Sequence, residues 1–140
     1  MTSHDGKRYT SIIEKLREAN LRPTRQRIAL AELMFADGDR HVSAEILHNE
    51  ALKARVSVSL ATVYNTLHQF TEAGLLREIA VDAGRSYFDT NTGDHHHFYF
   101  EDDGHLEDIS SDDVIVSKLP SAPEGSRISR VDVIIRVNGD

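Results

Sequence analysis

The chain has no cysteine, only three prolines among 140 residues, and a shortage of positive charge in its second half. Each lack excludes something. Without cysteine there are no disulfides, no thiolate nucleophile, no iron–sulfur cluster and no structural zinc site built on sulfur. Any bound metal must be held by histidine, carboxylate or both. No apolar run approaches membrane length and no signal peptide is visible, so a soluble, cytoplasmic chain without a membrane partner is expected. The length suits one ordinary domain or two small ones, and 39% hydrophobic residues allow a core.

The charge is unevenly spread. Residues 1–93 hold 12 Lys/Arg against 12 Asp/Glu, whereas residues 94–140 hold 4 against 11, which accounts for the whole net charge of −7. Phosphate repels the acidic half, so any nucleic-acid surface belongs to the first half.

Residues Tyr9 to Asn20 place Ile12, Ile13, Leu16 and Ala19 at helical spacing. Thr24 opens a second helix carrying Ile28, Ala31, Leu33 and Met34, ending near Asp37-Gly38-Asp39. Ser43 caps a third, to about Ala54, with Val42 and Leu47 as a hydrophobic staple. Ser59 caps a fourth, with Val58 and Val63 as its staple and Gly74 as its stop. Leu60, Val63, Leu67 and Phe70 form its expected buried stripe; Ala61, Thr62, Asn65, Thr66 and Gln69 form a face of small or amide side chains. Leu75 to Val81 and Arg85 to Asp89, joined by Asp82-Ala83-Gly84, read as a hairpin. Helices followed by such a hairpin make a winged helix-turn-helix whose fourth helix enters the major groove of double-stranded DNA.

Asn91-Thr92-Gly93-Asp94 marks a boundary. The division is a winged-helix DNA-binding domain over 1–90 and a small α/β dimerisation domain over 91–140, an α+β fold overall. In the second part, His95 to Phe100 reads as a strand, Ser110 to Asp113 as the cap of one or two helical turns before Pro120, and Ile128 to Val137 as a strand with Val131, Val133, Ile135 and Val137 on one face. The piece is too small to bury both faces of a sheet, which favours completion by a second copy.

The motifs Leu21-Arg22-Pro23-Thr24-Arg25-Gln26-Arg27, His41-Val42-Ser43-Ala44-Glu45, Leu60-Ala61-Thr62-Val63-Tyr64, Glu72-Ala73-Gly74-Leu75 and His95-His96-His97 resemble, in order and spacing, the ferric uptake regulator family. The resemblance covers about residues 10–109. It implies a homodimeric transcription regulator binding an A/T-rich inverted repeat. Phe100 and Asp103 stand at positions of the family's Cys-x-x-Cys pair, so its structural zinc should be missing. Asn65 follows the recognition-helix tyrosine where arginine is usual. Arginine reads guanine edges and asparagine adenine edges, so the operator should differ. A cysteine-poor chain with a triple-histidine run is most similar to the iron response regulator branch, in which haem controls the protein.

By the same resemblance, His41, Asp89, His95 and His97 form the regulatory metal site, with Asp89 where Glu is usual and Asp108 as a further carboxylate. Such ligands suit iron or manganese, with zinc able to enter in vitro. In a strand, His95 and His97 point one way and His96 the other. The family's second site aligns with Asp94, His96, Ile115 and Arg130, which cannot hold an ion. His95, His96 and His97 are the haem-ligand set, with Phe98, Tyr99 and Phe100 beside them. The DNA-contacting set is Arg22, Arg25, Arg27, Ser59, Thr62, Tyr64, Asn65 and Gln69.

Blander readings stand beside these. His4, His48, His68 and His105 read as surface or satisfied core, the acidic runs as solvated, and Tyr64 as core edge. Rival functions are a metal-activated repressor without haem control, a peroxide sensor oxidised at a histidine ligand, a metal buffer and, remotely, a His-ligated hydrolase.

Overall fold

In the computed structural model, residues 3–82 and 84–139 are described, with side chains from residue 10 onward. Ala83 of the hairpin turn and the side chain of His4 lie outside the described residues. The chain divides into two compact units, Met1–Thr92 and Gly93–Asp140.

The first unit contains α1 (Ser3–Glu18), α2 (Arg25–Phe35), β1 (His41–Val42), α3 (Ala44–Lys53), α4 (Leu60–Glu72), β2 (Arg77–Asp82) and β3 (Arg85–Asp89). Local chemistry sets the helix starts. Thr24 accepts from the Arg27 N–H, Ser43 from that of Ile46 and Ser59 from that of Thr62, each satisfying one otherwise unpaired donor. The ends are equally local. Asn20, Arg55 and Gly74 take left-handed φ values of 62°, 60° and 83°. After each of them the next N–H returns to the helix: Leu21 to the Leu16 carbonyl, Val56 to Ala51 and Leu75 to Phe70. This double turn-back satisfies carbonyls that the helix would leave open.

Leu16, Leu30, Met34, Leu47, Leu67 and Phe70 are fully buried in the core of this unit. Two expectations for α4 fail: Thr66 is buried, and Leu60 is 36% exposed. Leu60 is the first helical residue, beyond the reach of the packed stripe, whereas the Thr66 side chain is small enough to sit beside Leu67. The α1 helix also starts earlier than Tyr9.

The sheet of this unit has the order β1-β3-β2, so the hairpin carries a third, unanticipated strand. Pairing of β1 with β3 sets His41 opposite Asp89 and Val42 opposite Phe88. Val42 and Phe88 face the core, and their burial fixes this register.

The second unit holds β4 (His96–Phe100), β5 (His105–Ile109), a 3₁₀ turn (Ser111–Asp113) and β6 (Ile134–Val137) in one sheet of order β5-β4-β6. β4 runs antiparallel to β5 and parallel to β6. Three expectations change. β5 was not anticipated, its pairing partner lying across the acidic turn Glu101 to Gly104. Ser110 caps only a 3₁₀ turn. The last strand covers four residues, not Ile128 to Val137, and Ile135 is exposed while Val131, Val133 and Val137 are half-buried. Alternation in sequence marked that segment as extended, but only Ile134–Val137 finds a ladder on β4. Among the described residues no helix is long and apolar enough to cross a membrane.

Candidate metal centre and nucleic-acid face

The ladder between β4 and β5 places His97 opposite Asp108. Alternation puts His95, just before the strand, on the same face, and both imidazoles are buried, at 6% and 2% exposure. Their Nε2 atoms lie 3.5 Å and 3.3 Å from one oxygen, Asp108 Oδ1. Ligand atoms of all three residues fall within 4.8 Å of one another. Two atoms each about 2.1 Å from an ion at the tetrahedral angle stand about 3.4 Å apart, so this spacing suits direct coordination.

The tautomer of His95 is set locally. Its Nδ1 lies 2.8 Å from the Gly93 carbonyl and must carry the hydrogen, which leaves the Nε2 lone pair facing Asp108. A backbone carbonyl on the far nitrogen is the usual way to orient a metal-binding histidine. The set is neutral imidazole plus carboxylate with no thiolate, and it fits a divalent ion such as iron, manganese or zinc.

His96 lies on the opposite face. Its Nδ1 accepts from the Val133 N–H at 3.0 Å, so its neutral form carries hydrogen on Nε2. The three consecutive histidines therefore do not share one face. Nor do the aromatic residues: Tyr99 is buried on the face of His97, while Phe98 and Phe100 share that of His96. A porphyrin flanked by all three rings is not what these strands build.

In the first unit, His41 and Asp89 are paired across β1 and β3. Asp89 is 1% exposed and its Oδ1 accepts from the Asn91 N–H at 2.9 Å. Of the positions aligned with the family's second site, Asp94, His96 and Arg130 line a cavity of about 360 Å³, and Ile115 is 84% exposed. The other histidines have ordinary surroundings. His48 contacts the Val58 carbonyl, His68 sits edge-on to Phe88, and His105 pairs with Asp103 and stacks on Phe100.

The expected DNA-contacting residues fall on two helices of the first unit. Arg22 and Arg25 are exposed, before and at the start of α2, and Arg27 follows in its first turn. Asn65 and Gln69 are exposed one helical turn apart on α4. The Ser59 hydroxyl donates to the Thr62 Oγ1 at 3.0 Å while capping the helix. Arg27, Asn65 and Gln69 line a shallow polar cavity of about 310 Å³.

Tyr64 is tied to the neighbouring helix. Its hydroxyl donates to Glu45 Oε1 at 2.6 Å, and this hydrogen bond holds its pKa above the ordinary phenol value. The ring is half-buried, so a thymine contact would use the ring edge and not the hydroxyl. Glu45 was not singled out from the sequence. No spacing in the sequence sets Glu45 of α3 opposite Tyr64 of α4, 19 residues later.

The chain matches the family model "Ferric uptake regulator family" over residues 18–136. It is 34% identical over 100 residues to the ferric uptake regulation protein of Cupriavidus metallidurans, covering 71% of this chain and 70% of that one. The manganese-containing ferric uptake regulator of Pseudomonas aeruginosa is similar in structure, with a TM-score of 0.68 and 27% identity, covering 90% of this chain and 96% of that one. That of Vibrio cholerae shares the fold at a TM-score of 0.71 and 23% identity, covering 91% and 98%. With the four-helix, winged first unit and the His–Asp face of the second, these matches make the chain a member of the ferric uptake regulator family.

Proposed function

We propose that this chain is a homodimeric transcription regulator that binds an A/T-rich inverted repeat when a divalent ion, iron or manganese, occupies its His–Asp site. The observation that carries the reading is the convergence of His95 and His97 on Asp108, with the His95 lone pair directed by Gly93. Asp89 and His41 are the further ligands. Asp89 precedes His95 by only six residues, so an ion shared by both sets would tether the reading head to the dimerisation unit. Such coupling typically amounts to about 1–3 kcal/mol, or roughly 5- to 150-fold in DNA affinity. Family members are regulators and not enzymes, which leaves no place for the hydrolase reading.

The test is fluorescence anisotropy of a labelled A/T-rich inverted repeat with the full chain, titrated with manganese and then with chelator. Tightening with metal, reversal by chelator and loss of both in His97→Ala are the expected results. Equal binding in metal and chelator would overturn metal control.

Haem control, as in the iron response regulator branch, is the second reading, and its support is the His95-His96-His97 run. The division of these rings between two faces leaves each face to supply its own axial ligand. Haemin titration decides it. A saturating Soret shift, accompanied by DNA release and abolished by replacing all three histidines, would favour haem over the ion.

A further inference from the structure

Gln69 is a natural reader of adenine, because a free glutamine amide donates to N7 and accepts from the N6 amino group. In this protein its acceptor is already engaged. Arg27 directs Nε and Nη2 at Gln69 Oε1, at 3.4 Å and 3.1 Å, while its Nη1 donates to the Arg22 carbonyl at 3.0 Å. Guanidinium has no acceptor, so the amide atom facing Arg27 must be the oxygen and the amide cannot be turned round without placing donor against donor. The fork is anchored at both ends, between the chain before α2 and the exposed face of α4.

We propose that Arg27 is a positioning residue that makes Gln69 a donor-only reader, selecting guanine and not adenine at the base pair it meets. With Oε1 held, Gln69 keeps two N–H donors. Guanine presents two acceptors, O6 and N7, on its major-groove edge, whereas adenine presents an acceptor and a donor, and that donor would find no acceptor. Asn65, four residues earlier on the same helix, keeps a side chain free to read adenine. The two amides one turn apart thus read different bases because only one has a guanidinium behind it. This inference rests on the DNA-binding reading above.

The experiment is selection of random duplexes by the manganese-loaded full chain, followed by sequencing, for wild type, Gln69→Ala, Arg27→Met and Gln69→Glu. Circular dichroism confirms that each variant is folded. The Gln69→Ala protein identifies the base pair concerned, by losing its preference there. At that position wild type should favour guanine by roughly tenfold. Arg27→Met should move the preference to adenine, and Gln69→Glu, which keeps the Arg27 contact but has only acceptors, should move it to cytosine. An adenine preference in wild type, or an Arg27→Met protein that weakens all sequences equally while keeping guanine, would overturn the proposal. Should Arg27→Met fail to fold, the cytosine shift in Gln69→Glu decides, and a preference unmoved there overturns it. If wild type enriches no sequence at all, the DNA-binding reading itself falls, an outcome distinct from these.

Discussion

The two units solve the problem of a small core in different ways. The first closes its own: four helices bury a continuous set of large aliphatic and aromatic side chains, and its charges balance. The second is a three-stranded sheet carrying the whole charge deficit, and it leaves Ile115, Val116, Leu119, Ile128 and Ile135 exposed. One unit buries its large apolar side chains within itself, and the other leaves apolar side chains exposed, the surface the proposed dimer would cover. The proposed function divides along the same line, with the candidate DNA-contacting side chains on the first unit and the converging imidazoles on the second.

The most severe test of that contrast is deletion of a core ring in the first unit against an exposed side chain in the second. Phe70 is fully buried and packs within 6.2 Å of Phe35, centroid to centroid. Phe70→Ala should cost about 3–5 kcal/mol in urea unfolding, the range for a truncated core aromatic. Ile115→Ser should change protomer stability by less than about 0.5 kcal/mol, because the side chain is 84% exposed, yet weaken dimerisation in sedimentation. Equal destabilisation by the two would show that the second unit has a core of its own.

The two faces of β4 supply the next test. In the proposed site His97→Ala removes a direct ligand, so manganese affinity should fall by more than the roughly 10–100-fold typical of losing an outer-shell partner. His96→Ala removes only an acceptor for the Val133 N–H and should leave manganese affinity within a factor of about three, as expected of a group outside the coordination set. Isothermal titration distinguishes them. A similar loss in both variants would mean that the sheet face, not the ligand set, governs binding.

What was legible in the sequence follows the same division. Ser43 and Ser59 could be read as caps because a cap, its staple and its stop lie within a few residues of one another. The β2–β3 hairpin was legible from its turn, but the pairings of β1 with β3 and of β4 with β5 and β6 were not. β1 is two residues long and exists because Val42 and Phe88, 46 positions apart, share a core. β5 follows an acidic turn that read as solvated, and β6 shortens because only part of an alternating segment meets β4. Alternation made it legible that His95 and His97 share a face, and the family resemblance that they are candidate ligands, but not the roles of Gly93 and Glu45, which act through atoms with no sequence signature. Cap dependence should mirror this. Ser43→Ala should cost about 1 kcal/mol in thermal or urea unfolding, while Ser110→Ala, capping one 3₁₀ turn, should cost far less. Equal costs would mean that the Ser110 turn is a structural element comparable with α3.

The smallest expected effect concerns pH, and it too separates the units. At the turn after β4, His105 Nδ1 meets Asp103 Oδ1 at 2.5 Å, and the ring stacks on Phe100 with centroids 4.1 Å apart. The hydrogen bond with Asp103 raises the His105 pKa above its ordinary 6.5, and the same bond lowers that of Asp103 below its ordinary 3.8. The signs fix the window. His105 contributes fully below 6.5 and loses its contribution as pH rises through its raised value; Asp103 contributes above 3.8 and loses it as pH falls through its lowered value. The turn is therefore held best in mildly acidic solution and loosens towards alkaline pH. Both groups are open to water, so screening keeps the effect small and confined to the turn. Amide exchange at Gly104 and His105, corrected for intrinsic rates, should show protection falling as pH rises from 6 to 8, and His105→Gln should flatten that profile. Amides in α2, which contains no histidine, should keep their corrected protection over the same range. A flat wild-type profile at the turn would mean that the Phe100 stack alone positions His105.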